Sequence, residues 1–248
     1  MRIHAIGDVH GHLDGLRRAH ERVKADGGAD AQVVHIGDLI DRGPDSRGVV
    51  QFLMDGQAAG RDWIVVKGNH DHELPQFLRD PRWIAPRAAQ QNPWIGRDVG
   101  AAETLASYGI ENAESLSCED LHEQALRAVP QDHALWLAGL PPWHLTPLAL
   151  FVHAGIRPGV DLRAQIEDDL MWLRKPFLDD PRDHGVLVVH GHTPVRRATH
   201  YGNRLNIDSG AAQGGPVSAV RLDAEGAWLL GDDGPEPLIP QPRRARPC

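Results

Sequence analysis

Val33-Val34-His35-Ile36-Gly37-Asp38-Leu39-Ile40-Asp41-Arg42-Gly43-Pro44, residues 33–44, passes from an apolar run to a carboxylate beside a glycine. The first four residues have the length and β-branching of a strand buried on both faces, where a half-exposed strand would alternate. The run ends in a hard oxygen ligand next to a residue that lets backbone and ions approach closely. Four more apolar runs end in a polar, ligand-type residue: Ile3 to Asp8, Trp63 to His70, Leu150 to His153 and Val186 to His192. Sites in open α/β sheets form beyond the carboxyl ends of the strands, so these ends are expected to converge.

Outward from that segment, Leu13, Leu16 and Val23 recur at helical spacing and predict a crossover helix from Asp14 to Lys24, stopped by Asp26-Gly27-Gly28. Asp45 or Ser46 can cap a second crossover helix carrying Val49, Val50 and Leu53, which makes the start of the chain βαβαβ. From about 74 to 147 the pattern turns to helical and irregular pieces broken by prolines. Trp83, Trp94, Trp136 and Trp143 fall there, either as the core of a helical insertion or, for one or two of them, as a substrate-facing rim. After His192, Arg204 to Asp208, Val217 to Leu222 and Ala227 to Leu230 read as further sheet, the last two joined by the turn Asp223-Ala224-Glu225-Gly226. The expected organisation is one domain over 1–234 with the insertion at about 74–147. A disordered Pro- and Arg-rich tail over 235–248 would follow, ending with Arg243, Arg244 and Arg246.

The chain has 248 residues, 41% of them hydrophobic and 24% charged, enough to bury a core without staples. No apolar run approaches the ~20 residues of a membrane helix, and the first residues already read as a strand, so no membrane contact is expected and the cytoplasm is the expected location. Cys118 and Cys248 are too few and too far apart for a disulfide framework or a cysteine zinc site. A net charge of -8 argues against a broad nucleic-acid-binding surface. The histidine count, 15, is high, and imidazole is both a metal ligand and a proton carrier near neutral pH.

Three segments carry the chemistry: Gly7-Asp8-Val9-His10-Gly11, Gly37-Asp38-Leu39-Ile40-Asp41-Arg42-Gly43-Pro44 and Gly68-Asn69-His70-Asp71. Their order and spacing, with His153 and His192 at later strand ends, resemble the calcineurin-like metallophosphoesterase superfamily and its phosphoprotein-phosphatase branch. The resemblance implies an α/β fold in which a two-sheet β-sandwich is flanked by helices, in four α/β/β/α layers. It also implies a dinuclear metal centre at the strand ends. By that resemblance Asp8 and His10 bind a first metal ion, Asp38 bridges both, and Asn69, His153 and His192 complete the second. A bridging carboxylate suits two ions ~3.5–4 Å apart, and a neutral Asn ligand keeps the site positive for an anionic substrate. Resemblance further makes His70 the general acid, Asp41 the carboxylate that orients it, and Arg42 and Arg174 the pair that grips phosphate oxygens.

In His190-Gly191-His192-Thr193-Pro194 the family pattern selects His192, and His190 is read as a strand-end histidine in the core or behind the ligands. Asp71, His72 and Glu73 are expected to serve the strand-to-helix turn or to stand behind the ligands. Asp208-Ser209-Gly210-Ala211 resembles a late segment that supports the site and is equally compatible with a sheet-to-loop turn. His20, His122, His133 and His200 have no partner pattern and are read as surface or structural.

The implied activity is metal-dependent phosphomonoester hydrolysis by in-line attack of a metal-bridging hydroxide, without a phosphoenzyme. Oxygen and imidazole ligands do not fix the metal; Mn²⁺ is the first expectation, with Fe or Zn²⁺ also compatible. Gly-x-Ser-x-Gly, a Gly-rich phosphate loop and a nucleophilic cysteine context are all absent. Asp41-Arg42-Gly43-Pro44-Asp45-Ser46 and Thr104-Leu105-Ala106-Ser107-Tyr108-Gly109 look more like protein phosphatases, which implies a phosphoserine or phosphothreonine protein substrate. The alternative is a pyrophosphohydrolase acting on diadenosine tetraphosphate or a capped RNA end, with Trp83 or Trp94 stacking on adenine. A non-catalytic scaffold is disfavoured by the intact ligand set.

Overall fold

A computed structural model describes residues 1–87, 93–96 and 99–241. The segment that opened the sequence reading forms β2 (Val33–His35), central in a parallel trio with β1 (Arg2–Ile6) and β3 (Trp63–Val65). Ala5 stands opposite Val34, and Val34 opposite Ile64. The crossovers are α1 (Leu13–Gly27) and α2 (Ser46–Ala58). Of the two cap candidates Asp45 serves, its carboxylate accepting the Gly48 N–H at 2.8 Å. α1 runs three residues past its expected end because Gly28, at φ 84°, is the residue that turns the chain out of the helix.

β9 (Ala219–Asp223), β10 (Gly226–Gly231) and β11 (Gly234–Pro237) extend the first sheet antiparallel beyond β1, giving six strands in the order β11-β10-β9-β1-β2-β3. The second sheet has five: β4 (Trp143–Leu145), β5 (Ala149–Val152), β6 (Leu187–His190), β7 (Thr199–His200) and β8 (Arg204–Asn206), ordered β4-β5-β6-β8-β7 with β5, β6 and β8 parallel. The remaining helices are α3 (Asn69–Arg79), α4 (Ala101–Ser107), α5 (Cys118–Ala128), α6 (Gln131–Ala138) and α7 (Glu167–Trp172).

The strands read as continuous apolar runs because both sheet faces are covered. Ile3, Ala5, Val34 and Ile36 meet Phe151, Val189, Leu205 and Ile207 between the sheets. Ile6, Val33 and Val65 turn the other way onto Leu16 and Val23 of α1 and Val49 and Leu53 of α2. On the far side Leu150, Val152 and Val188 pack against Leu170, Leu173 and Phe177. The order of layers is helix, sheet, sheet, helix, as expected.

Two boundaries need correction. β4 lies inside the stretch 74–147 expected to be helical, yet it pairs antiparallel with β5 and belongs to the second sheet. The disordered tail expected from 235 is corrected at its start: Pro235, Glu236 and Pro237 pair with Leu230, Leu229 and Trp228 as an edge strand. Prolines tolerate such an edge because one side of the strand needs no donors. Arg243, Arg244 and Arg246 lie outside the described residues. Among the described residues no helix is long and apolar enough to cross a membrane.

Candidate active site

The strand ends meet on loops whose backbone is unusual. Among the described residues six non-glycines have positive φ, and five of them are His10 (46°), Asp38 (52°), Asp41 (73°), Arg42 (72°) and His192 (64°). Each such residue costs on the order of 1 kcal/mol or more and persists only where its surroundings over-determine it. Here the loops after β1 and β2 are tied by His10 N–H to the Asp38 carbonyl (2.8 Å) and Gly11 N–H to the Leu39 carbonyl (2.8 Å). Asp71 ties the β2 loop to the β3 loop, its carboxylate accepting Leu39 N–H and Gly68 N–H, both at 2.8 Å. Gly68 lies so close to the β2 loop that a Cβ there would come within 2.2 Å of the Asp38 nitrogen. Asp71 thus serves the turn, as expected.

These loops focus side chains on Asp38. Its Oδ1 lies 3.2 Å from His153 Nε2, and its Oδ2 lies 3.5 Å from His10 Nε2 and 4.0 Å from His70 Nε2. His10, Asp38 and His70 form one group able to hold a metal ion, and Asp38, His153 and His192 another, so Asp38 belongs to both. His10 Nδ1 and His153 Nδ1 contact the carbonyls of Ile40 (3.0 Å) and Ile36 (2.9 Å). Each carbonyl takes the Nδ1–H, so that Nε2 is the nitrogen aimed inward and offers its lone pair when deprotonated. Asn69 Oδ1 lies 3.1 Å from His153 Nε2, and Asp8 accepts the His192 N–H at 3.1 Å. Asp8 Oδ1 and His192 Nε2 are buried without a protein hydrogen-bond partner. Unsatisfied buried polar atoms are costly, and a cation bound there would satisfy both.

The charges say the same. Burial, Asp208 and Asp38 push Asp8 well above the usual carboxylate range, and burial with Asp38 pushes Asp71 up to about 6. Burial opposes protonation of His153, but Asp38 and Asp8 outweigh it and raise the imidazole to about 10. Such a concentration of buried negative charge takes up positive charge, as protons or as metal ions. His10 is pushed down to about 3 by burial and by His70, which leaves it the neutral base a ligand must be. The donor set fits a pair of divalent cations.

A cavity of about 320 Å³ opens above this cluster. Asp8, His10, Asp38, Asn69, His70 and His192 line it together with Arg42 and Arg174. His153 lies fully buried beneath. His70 Nδ1 is 2.6 Å from Asp41 Oδ2. Burial works against a charged His70, yet Asp38 and the Asp41 hydrogen bond prevail and raise its pKa. Arg174 reaches across to the His192 carbonyl at 3.5 Å. All ten residues singled out in the sequence are therefore brought to one place, eight on the cavity wall and His153 and Asp41 directly behind it.

His190 faces away, with Nε2 at 3.3 Å from the Arg204 guanidinium and its ring edge against Phe177. Asp208, left open between two readings, lines the cavity. Trp94 corrects the idea of an adenine-stacking rim: it is 1% exposed and donates its indole N–H to Asp41 Oδ2 at 2.9 Å. Trp83 rests against His72 instead of on the cavity wall. Three neighbours were missed in the sequence. Trp172 lines the cavity, and Trp94 and Thr104 hydrogen-bond Asp41. Trp172 had a signal in its spacing from Arg174, whereas the other two depend on how the insertion folds back.

The sequence profile of the family described as calcineurin-like phosphoesterase matches residues 1–220. A relative from Thioalkalivibrio sulfidiphilus named bis(5'-nucleosyl)-tetraphosphatase, symmetrical, is 45% identical over 90% of this chain and 96% of its own. Serine/threonine-protein phosphatase 1 of Salmonella typhimurium is 28% identical over 88% of this chain and 90% of its own. Among solved structures, the cold-active protein-tyrosine phosphatase of a psychrophilic Shewanella superposes with a TM-score of 0.60 at 18% identity, over 96% of this chain and 80% of that one, a likeness of fold. The match over residues 1–220 decides membership: this chain belongs to the calcineurin-like phosphoesterases and is a metal-dependent phosphohydrolase.

Proposed function

We propose that the protein hydrolyses phosphomonoesters, with phosphoserine or phosphothreonine in a protein as the substrate class. The observation that carries this reading is that the guanidinium-bearing side chains of Arg42 and Arg174 share one cavity with the Asp38 cluster and His70. Asp8, His10 and Asp38 would hold one ion, and Asp38, Asn69, His153 and His192 a second. Two divalent ions, Mn²⁺ first among those that suit oxygen and imidazole, would supply Lewis acidity toward the phosphoryl group and activate water at neutral pH.

The chain's own groups supply the rest. Arg42 and Arg174 take the phosphoryl oxygens and fix the ester in line. His70 donates Nδ1–H to Asp41, which turns Nε2 toward the cavity, where it holds the proton for the departing oxygen. The Asp41 hydrogen bond favours the protonated ring. A phosphorylated serine or threonine side chain suits a cavity of about 320 Å³ with Trp172 on its wall. The 28% identical relative named a serine/threonine-protein phosphatase supports the same substrate class.

A second reading, symmetrical cleavage of a dinucleoside tetraphosphate, is favoured by the name of the 45% identical relative. Its aromatic contact would have to be Trp172, since Trp94 is committed to Asp41. Metal-stripped protein restored with Mn²⁺ and assayed on a phosphoserine peptide, p-nitrophenyl phosphate and diadenosine tetraphosphate separates the two. A kcat/KM at least ten-fold higher on the peptide than on the dinucleotide is expected, about 1.4 kcal/mol of transition-state discrimination. The reverse preference moves the function to nucleotide turnover.

A further inference from the structure

We propose that Trp94 and Thr104, far along the chain from Asp41, are positioning residues for the acid His70. The inference rests on the reading of His70 as the group that protonates the leaving oxygen.

Asp41 is fully buried, and donors from three parts of the chain converge on its carboxylate. Oδ2 receives His70 Nδ1–H at 2.6 Å and the Trp94 indole N–H at 2.9 Å, and Oδ1 receives the Thr104 hydroxyl at 2.7 Å. The network closes on itself. Thr104 Oγ1 accepts the Asp41 N–H at 2.9 Å and lies 2.9 Å from Ser46 Oγ, which also faces that N–H at 3.1 Å. Thr104 is fully buried, and Trp94 is wedged against Phe77 with ring centroids 5.6 Å apart.

A carboxylate has about four lone-pair directions in one plane, and here three are taken by donors on fixed elements. Rotation about its Cβ–Cγ bond would break at least one of these bonds, so the plane in which His70 Nδ1–H is accepted is set by Trp94 and Thr104. Gly100, between them in sequence, also holds the neighbouring phosphate-gripping residue. Arg42 N–H donates to the Gly100 carbonyl at 3.3 Å, and a Cβ on Gly100 would lie 1.9 Å from the Arg42 nitrogen. Asp41 and Arg42, both at positive φ, are thus held against the insertion. Loosening Asp41 lets the imidazole swing and removes proton delivery at Nε2, while the groups around Asp38 keep their contacts.

The test compares phenyl phosphate, whose leaving phenolate has a conjugate-acid pKa of ~10 like a tyrosine and needs protonation, with p-nitrophenyl phosphate, whose leaving group needs it far less. Mn²⁺-saturated Thr104→Val is expected to lose at least about ten-fold more kcat/KM on phenyl phosphate than on p-nitrophenyl phosphate, with KM little changed. Thr104→Ser, which keeps the hydroxyl, is expected to restore the wild-type ratio. Trp94→Phe should skew the ratio in the same direction and covers the case in which Thr104→Val fails to fold. His70→Asn is the control. If it shows the leaving-group dependence and the Thr104 and Trp94 variants lose both substrates equally, or Thr104→Ser fails to rescue, the positioning role is overturned and the acid stands. If His70→Asn itself loses both substrates equally, the acid reading falls and this inference with it.

Discussion

His35 and Asp38 are three residues apart at the end of β2, yet they stand in two histidine clusters of opposite character. Around Asp38, His10, His70, His153 and His192 face a shared carboxylate, and their acidities are driven apart, His153 up to about 10 and His10 down to about 3. Behind the sheet, His35 Nδ1 contacts the Ile64 carbonyl at 3.1 Å, and its Nε2 lies 3.0 Å from His20 Nε2. His20 stacks on Trp63 at 4.1 Å between ring centroids. Burial pushes His20 down to about 2 and His35 to about 4, and no carboxylate acts on either ring. One chain of hydrogen bonds, from His20 Nε2–H to His35 and from His35 Nδ1–H to Ile64, accounts for both rings as neutral groups. The first cluster has no such closure, since Asp8 Oδ1 and His192 Nε2 find no protein partner. Histidine number therefore does not make a metal site. A carboxylate at the focus, with polar atoms left for something other than protein, does.

The largest effect that tests this contrast is at the focus itself. Asp38→Asn should lower turnover of p-nitrophenyl phosphate on the order of 10³-fold or more, about 4 kcal/mol of barrier, with loss of bound metal. Steady-state kinetics and elemental analysis of the same sample check it. Next, His70→Asn should cost about 10²-fold or more in kcat on phenyl phosphate and leave the metal content unchanged, because His70 serves the proton and not the ions. Metal lost together with turnover would move His70 into the ligand set.

Smaller effects belong to the cluster behind the sheet. A histidine whose folded pKa lies below the unfolded ~6.5 stabilises the fold above that value, and the contribution is lost as pH falls, because the unfolded chain binds the proton first. For His35, lowered to about 4, and His20, lowered to about 2, the loss begins near pH 6.5 and deepens downward. It should reach roughly 2 kcal/mol per ring by pH 5. Urea midpoints of wild type and His20→Phe across this range read it, and a variant that falls as steeply as wild type would contradict it. The smallest effect expected is on activity. At pH 7.5 His20→Phe should keep kcat within about two-fold, since its contacts with His35 and Trp63 lie away from the cavity and distant sites act independently.

Most of the site was legible in the sequence because each of its groups sits at the end of its own strand. Asp8, Asp38, Asn69, His153 and His192 each follow an apolar run, and the parallel register of β1, β2 and β3, that of β5 and β6, and the packing of the two sheets on each other bring the run ends together. Trp94 and Thr104 were not legible, because their contact with Asp41 is made across 53 and 63 residues by an insertion whose local pattern is only helical. The pairing of His20 with His35, 15 residues apart, had no motif to mark it because it depends on how α1 lies against β2. β4 and β11 were missed where proline dominates the local reading: Pro141 and Pro142 precede one, and Pro235 and Pro237 lie in the other. Both are edge strands, where the missing donor of a proline does least harm.

The measurement that reaches the central claim most directly is a Mn²⁺ titration of metal-stripped wild type and Asp38→Asn. Metal per chain and p-nitrophenyl phosphate turnover are read on the same samples. With Asp38 shared between two ions, wild type should take up two per chain and gain activity with the second, while Asp38→Asn should hold at most one and stay inactive. Full turnover by the metal-free protein, or two ions and normal turnover in Asp38→Asn, would contradict it.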